Sequence, residues 1–144
     1  MKRIKFFAMM ILGLLFSTMS FANNRHVAVD ELPITVKSFV QDNFRGKAIV
    51  NAEKDFNSYE CRLSNGTKVA FYRRGEWKKI DTNDMTAVPS ALIPDAVKQY
   101  VKGTFPGAII TKIEKESYGY DIELSNYLKV KLTHQGTVLR MNNQ

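Results

Sequence analysis

The sequence predicts an α+β fold: a helix followed by a four-stranded antiparallel meander, built twice. Two observations carry this. First, the chain matches itself without a gap at an offset of 61 residues: over 33–81 against 94–142, 16 of 49 pairs are identical. Second, within each copy the apolar spacing changes from three- and four-residue steps to strict alternation, which is the change from helix to strand.

Ahead of the repeat, Lys2, Arg3 and Lys5 precede an apolar run over residues 6–16, and Ser20-Phe21-Ala22 supplies small residues for a signal peptidase. Residues 1–22 therefore read as a secretory signal peptide, cut after Ala22. The run is too short for a stable membrane span, and Asn23 stands where a lipoprotein signal would need Cys. The mature chain is expected to be periplasmic or secreted, with no membrane span. Signal removal takes away three basic residues and no acids, so the formal charge falls from +7 to +4. A mildly basic exported protein is a poor candidate for nucleic-acid binding. Cys61 is the only cysteine, so no intrachain disulfide can form.

Each copy opens with a helix. Pro33 and Pro94 sit where a first helical residue needs no N–H. Val36, Phe39, Val40 and Phe44, matched by Val97, Tyr100, Val101 and Phe105, form one apolar stripe. Gly46 and Gly107 end it.

Strands follow. In the first of each copy, Ala48, Val50 and Ala52 are expected to point inward, with Ile109 and Ile113 in the matching places. In the second, Tyr59, Cys61 and Leu63 alternate with Glu60, Arg62 and Ser64, as Tyr120, Ile122 and Leu124 do with Asp121, Glu123 and Ser125. The third carries Thr67, Val69 and Phe71, or Leu128, Val130 and Leu132. A short fourth runs over 76–81 and 137–141.

The register of the central hairpin can be argued. A Ser64-Asn65-Gly66 loop with Gly66 left-handed sets Cys61 opposite Val69 and Tyr59 opposite Phe71, giving one consistent apolar face. The same register places Glu123 opposite Lys129 and Asp121 opposite Lys131 on the other face, as ordinary cross-strand ion pairs. Tyr127 occupies the glycine position in the second copy. For the next hairpin two turns compete. A two-residue Arg74-Gly75 turn puts Tyr72 beside Trp77 on the outer face, whereas a three-residue turn sends Trp77 inward.

No catalytic constellation stands out. Cys61 aligns with Ile122 and reads as a small buried hydrophobe. His26 and His134 lack companions at metal-ligand spacing, and there is no phosphate loop or nucleophile elbow. No cofactor, metal or enzymatic activity is expected. Asn65-Gly66-Thr67 fits a glycosylation pattern too common to weigh. The stretch YECRLSNGTKVAFYRRGEWKKID differs, because its outward Arg62 and Lys68 face each other rather than acids. With Tyr72 and Trp77 they are the expected partner-binding residues.

The run LP…V…FV…NFRGKAI…YECRLSNGTKVAFYRRGEWKKID, then VPSALIPDAVKQYVKGTFPGAII…GYDIELSNYLKVKLTHQG, resembles the PepSY-like family. These are exported bacterial proteins related in fold to β-lactamase inhibitory protein. The resemblance implies PepSY-like repeats at 23–82 and 83–144, their strands forming one curved sheet with helices on one face. It also implies an open face that clasps a partner protein, with no catalytic motif to carry over. The expected function is non-enzymatic protein binding, inhibition being one form of it. The expected partner is another envelope or secreted protein. Binding of a small ligand or envelope lipid between sheet and helices is the alternative.

Overall fold

The computed structural model describes residues 25–143, and the expected signal peptide lies outside them. Nine strands form a single antiparallel sheet in strict chain order. They are β1 (Arg25–His26), β2 (Ile49–Lys54), β3 (Ser58–Leu63), β4 (Lys68–Tyr72) and β5 (Trp77–Asp81), then β6 (Ile110–Glu116), β7 (Gly119–Leu124), β8 (Leu128–Thr133) and β9 (Val138–Asn143). Helix α1 (Ile34–Asn43) precedes β2 and helix α2 (Asp95–Thr104) precedes β6. Each unit is thus a helix and a four-stranded meander. β5 and β6 join the units through Lys79–Glu114, Ile80–Ile113 and Asp81–Lys112.

Both helices cover the same face. Val36 and Val40 of α1 and Val97 and Val101 of α2 share one buried cluster with Leu63, Val69, Phe71, Ile80, Ile113, Ile122, Leu124, Val130 and Leu132. The Phe39 ring meets the edge of Phe71 at 5.3 Å between centroids. The helices are short, so their stability comes from this apolar stripe rather than from propensity. The turns after β4 and β8 press against the helix starts. A Cβ on Gly136 would stand 2.9 Å from the Ala96 carbonyl oxygen, and one on Gly75 would strike Thr35. This close approach accounts for a glycine at the same place in both units.

The central hairpin has the expected register: Arg62 faces Lys68, Cys61 faces Val69 and Tyr59 faces Phe71. Gly66 is left-handed at φ 88°, and Tyr127 takes the same region at φ 65°. The two turns therefore share a shape despite the different residue.

Three expectations need correction. Ala48 is exposed, Val50 is 59% exposed and Ile109 42% exposed, not inward. A bulge breaks the register between Ile49 and Asn51, and another between Ile110 and Lys112. The bulges turn Ile49 and Ile110 toward the core; the extra residue of the first, Val50, is left outside. Thr111, in the second bulge, is buried, and its hydroxyl donates to Asp84 Oδ1 at 3.2 Å.

The β4–β5 turn is also resolved. Tyr72 N–H donates to the Glu76 carbonyl and Gly75 N–H to the Tyr72 carbonyl, both at 2.8 Å, which closes a three-residue turn. Phe71 then faces Trp77, and a bulge at Lys78 restores Ala70 opposite Lys79 and Val69 opposite Ile80. Trp77 is buried, on the helix-covered side.

Candidate binding face

The side of the sheet away from the helices is built from every second residue of each strand, and register aligns those residues into two transverse rows. One runs Asn51, Arg62, Lys68, Asp81, Lys112, Glu123, Lys129, Asn142. The other runs Glu53, Glu60, Ala70, Lys79, Glu114, Asp121, Lys131, Arg140. This face is a polar field of mixed sign, laid across both units.

The two halves of the field differ. In the second, Lys112 Nζ lies 3.1 Å from Glu123 Oε1 and 3.8 Å from Asp81, Lys129 lies 3.5 Å from Glu123, and Lys131 lies 2.7 Å from Asp121 Oδ2. The Tyr118 hydroxyl joins the last pair, bonded to Asp121 and accepting from Lys131 at 2.9 Å. Burial tends to lower the Lys112 pKa, but the Glu123 hydrogen bond and the carboxylates of Glu123, Asp81 and Glu114 outweigh it and raise it. These charges satisfy one another. Their exposed members contribute little stability each, yet together they leave little unspent charge for a visitor.

The first half is not closed in this way. Among the described residues, no salt bridge engages Arg62, Lys68 or Lys79. Ala70 stands where the second unit has Lys131, and its short side chain leaves a depression of about 80 Å³ walled by Glu60, Lys68, Lys79 and Asp81. Tyr72 ends the same strand, half-buried, with the Arg74 and Lys78 cations each 5.8 Å from its ring centre. Such contacts hold the ring without burying it.

Of the four residues expected to bind a partner, the structure brings Arg62, Lys68 and Tyr72 onto this open face. Trp77 is on the opposite side, so the exposed Tyr72–Trp77 pair of the two-residue turn does not form. The reason is the three-residue turn, after which the bulge at Lys78 restores the Ala70–Lys79 and Val69–Ile80 pairs. Sequence reading missed the depression at Ala70, whose signal was a small residue facing Lys131 in the repeat alignment.

The other candidates are structural. Cys61 is fully buried, and burial, followed by the Glu60 carboxylate, pushes its thiol up to about 11. A thiol so placed is a poor nucleophile at neutral pH. His134 Nε2 lies 3.2 Å from the Ser117 carbonyl, and Arg73, its counterpart, donates to the Phe56 carbonyl at 2.9 Å. Both tie a strand end to the neighbouring hairpin. Among the described residues, no group of three or more His, Cys, Asp and Glu side chains is placed to hold a metal ion. On the helix side, an apolar groove of about 580 Å³ runs between the end of α2 and the entry to β6, lined by Val88, Val101, Phe105 and Ile110, with Lys98 and Lys102 beside them.

The fold is a duplicated helix–meander unit with one sheet face covered by helices and the other bare and charged, and the family pattern that it matches is described as β-lactamase-inhibitor-like and PepSY-like. The chain belongs to the PepSY-like family, whose pattern matches residues 19–65 and 57–140. Three solved structures are similar to it. One, from Bacteroides vulgatus, is proposed to be a periplasmic protein of the DUF2874 family; it is 30% identical with a TM-score of 0.77, covering 84% of this chain and 98% of its own. Another, from Bacteroides thetaiotaomicron, is proposed to be a calcium-regulated periplasmic protein; it is 31% identical with a TM-score of 0.75, covering 83% of this chain and 97% of its own. A further Bacteroides vulgatus protein, proposed to be periplasmic and of unknown function, is 28% identical with a TM-score of 0.76, covering 83% and 99%. No curated protein matches. The periplasmic or secreted location expected from the sequence agrees with these relatives, and among the described residues no helix is long and apolar enough to cross a membrane.

Proposed function

We propose that this protein is an exported, non-enzymatic binding module that captures another envelope or secreted protein on the helix-free face of its sheet. Inhibition is the mode of action that the family relation suggests. The observation that supports this reading is the asymmetry of the face. One half neutralises its own charge, whereas the other presents Arg62, Lys68 and Lys79 without a salt bridge among the described residues, around a depression that Glu60 and Asp81 help to wall and beside Tyr72. A partner offering carboxylates, with a small side chain to enter the depression, would complete that half. Charge complementarity of this kind governs association rate and specificity, and it weakens with salt.

The test is capture from an envelope extract by the immobilised mature protein and by the double variant Arg62→Glu with Lys68→Glu. Both residues are on the solvent side, so the circular dichroism spectrum should be unchanged. The captured protein should be lost or weakened at least about tenfold. Equal capture by both forms would argue against this face.

A second reading rests on the α2 groove, whose volume and apolar lining suit a small ligand or lipid tail. Native mass spectrometry of the purified protein would reveal a co-purified molecule, which substitution Val101→Trp should exclude. A bare protein mass would count against it.

A further inference from the structure

Among the strands of the described residues, the outer edge of β9 is the one most openly apolar. All six of its residues are exposed, including Val138 at 40%, Leu139 at 54% and Met141 at 42%. Natural edges are usually short, bulged or guarded by Lys or Pro; β9 has a bulge at Leu139, but beyond it Arg140–Asn143 pairs in regular register with β8, and the one charge of the strand is Arg140.

The repeat shows what such an edge accepts. β5 is the equivalent of β9, with Trp77 and Ile80 in the places of Val138 and Met141, and those two are buried to 9% and 0% exposure. They are buried because β6 pairs with β5 and sets Ile113 beside Ile80. Among the described residues, no strand does this for β9. Met141 faces Val130 on the core side of the sheet, with its other flank bare.

We propose that β9 pairs edge to edge with β9 of a second copy of this chain. An antiparallel pairing about a two-fold axis needs only one surface and closes on itself. The register that centres on Met141 fits best. It puts Met141 opposite Met141 on the core side, reproducing the apolar pair that Ile80 makes with Ile113. It also places Arg140 opposite Asn142 on the open side, so like charges do not meet. In contrast, centring on Arg140 would oppose two guanidinium groups. Among the described residues, the other edge of the sheet is β1, two exposed polar residues, Arg25 and His26. The pairing joins two nine-stranded sheets into one and extends the bare face without covering it. The contact is a single strand, smaller than a standard interface, so the dimer is a weak, concentration-dependent one.

Sedimentation of the mature protein over a concentration series reaching the millimolar range tests this. A monomer–dimer equilibrium is expected, with amide exchange over 138–143 slowing as dimer accumulates. Met141→Lys places two ammonium groups face to face and should raise the dissociation constant at least about tenfold. Because Met141 is already solvent-exposed, the variant should fold. Val50→Lys, at an exposed apolar residue on the bulge of β2, should leave dimerisation intact. A protein that stays monomeric throughout, a dimer that survives Met141→Lys, or one that Val50→Lys also removes would each overturn the proposal.

Discussion

The Lys115 ammonium lies 3.9 Å from the centre of the Trp77 ring. Trp77 is in the last strand of the first unit and Lys115 is in the first strand of the second, so this contact lies across the seam. Burial lowers the Lys115 pKa, which the Glu76 carboxylate partly offsets. The side chain thus acts as an apolar stem with a cationic tip closing over the indole. The lone tryptophan, which invites reading as an interface anchor, instead seals the junction of the two halves.

Replacing it should therefore be a stability experiment rather than a binding one. Trp77→Ala is expected to cost about 3–5 kcal/mol, the range for truncating a buried aromatic. Tyr72→Ala, on the open face, should cost within about 1 kcal/mol. Urea denaturation of both variants would test the assignment. Comparable losses would mean that Trp77 is not a core residue.

Tyr127 gives a prediction of opposite sign. It holds a left-handed backbone at φ 65° and is 62% exposed. A side chain pays about 1–2 kcal/mol there, while its bulk earns little from packing. Gly66 occupies the same position in the first unit without that cost. Tyr127→Gly should raise unfolding free energy by up to about 1 kcal/mol, net of the entropy that glycine loses. A lower melting temperature would show that the ring makes contacts outweighing the strain.

The thiol of Cys61 supplies a pH dependence. Its pKa is raised from 9.0 to about 11, by burial first and by Glu60 second. Unfolding releases a proton above pH 9 that the folded state retains. The stabilisation from the buried neutral thiol is thus complete below pH 9 and declines as pH rises from 9 toward 11. Stability of the wild type should fall more steeply over that interval than that of Cys61→Val. At neutral pH, a thiol reagent should modify Cys61 only as fast as the protein unfolds. Rapid labelling of the native protein would contradict this.

Much of the architecture was legible because the chain repeats itself. The hairpin register followed from demanding that Cys61–Val69 and Ile122–Val130 both fall on an apolar face, and the Glu123–Lys129 and Asp121–Lys131 pairs followed with it. The bulges were not legible. Val50 is apolar and in phase with Ala52, and alternation alone cannot reveal that an extra residue breaks the phase. The same device recurs beside Trp77. Each turn length considered captured half of the pairing, because the bulge at Lys78 joins the inward Trp77 of one to the Val69–Ile80 pair of the other. Two-residue β1 has too few positions to show a period. As for the binding face, Arg62, Lys68 and Tyr72 were placed by alternation, and the depression beside them depended on the missing bulk at Ala70.

The strand order has a consequence for how an exported chain folds. Every strand bonds to the strands adjacent to it along the chain, so six of the eight ladders close over a short hairpin, and only the β1–β2 and β5–β6 ladders wait for an intervening helix. Low contact order of this kind favours fast, local assembly. The first unit can settle as it emerges and offer the edge of β5 as a template for the rest, so little of the chain would ever need to linger unpaired in the crowded space beyond the export channel.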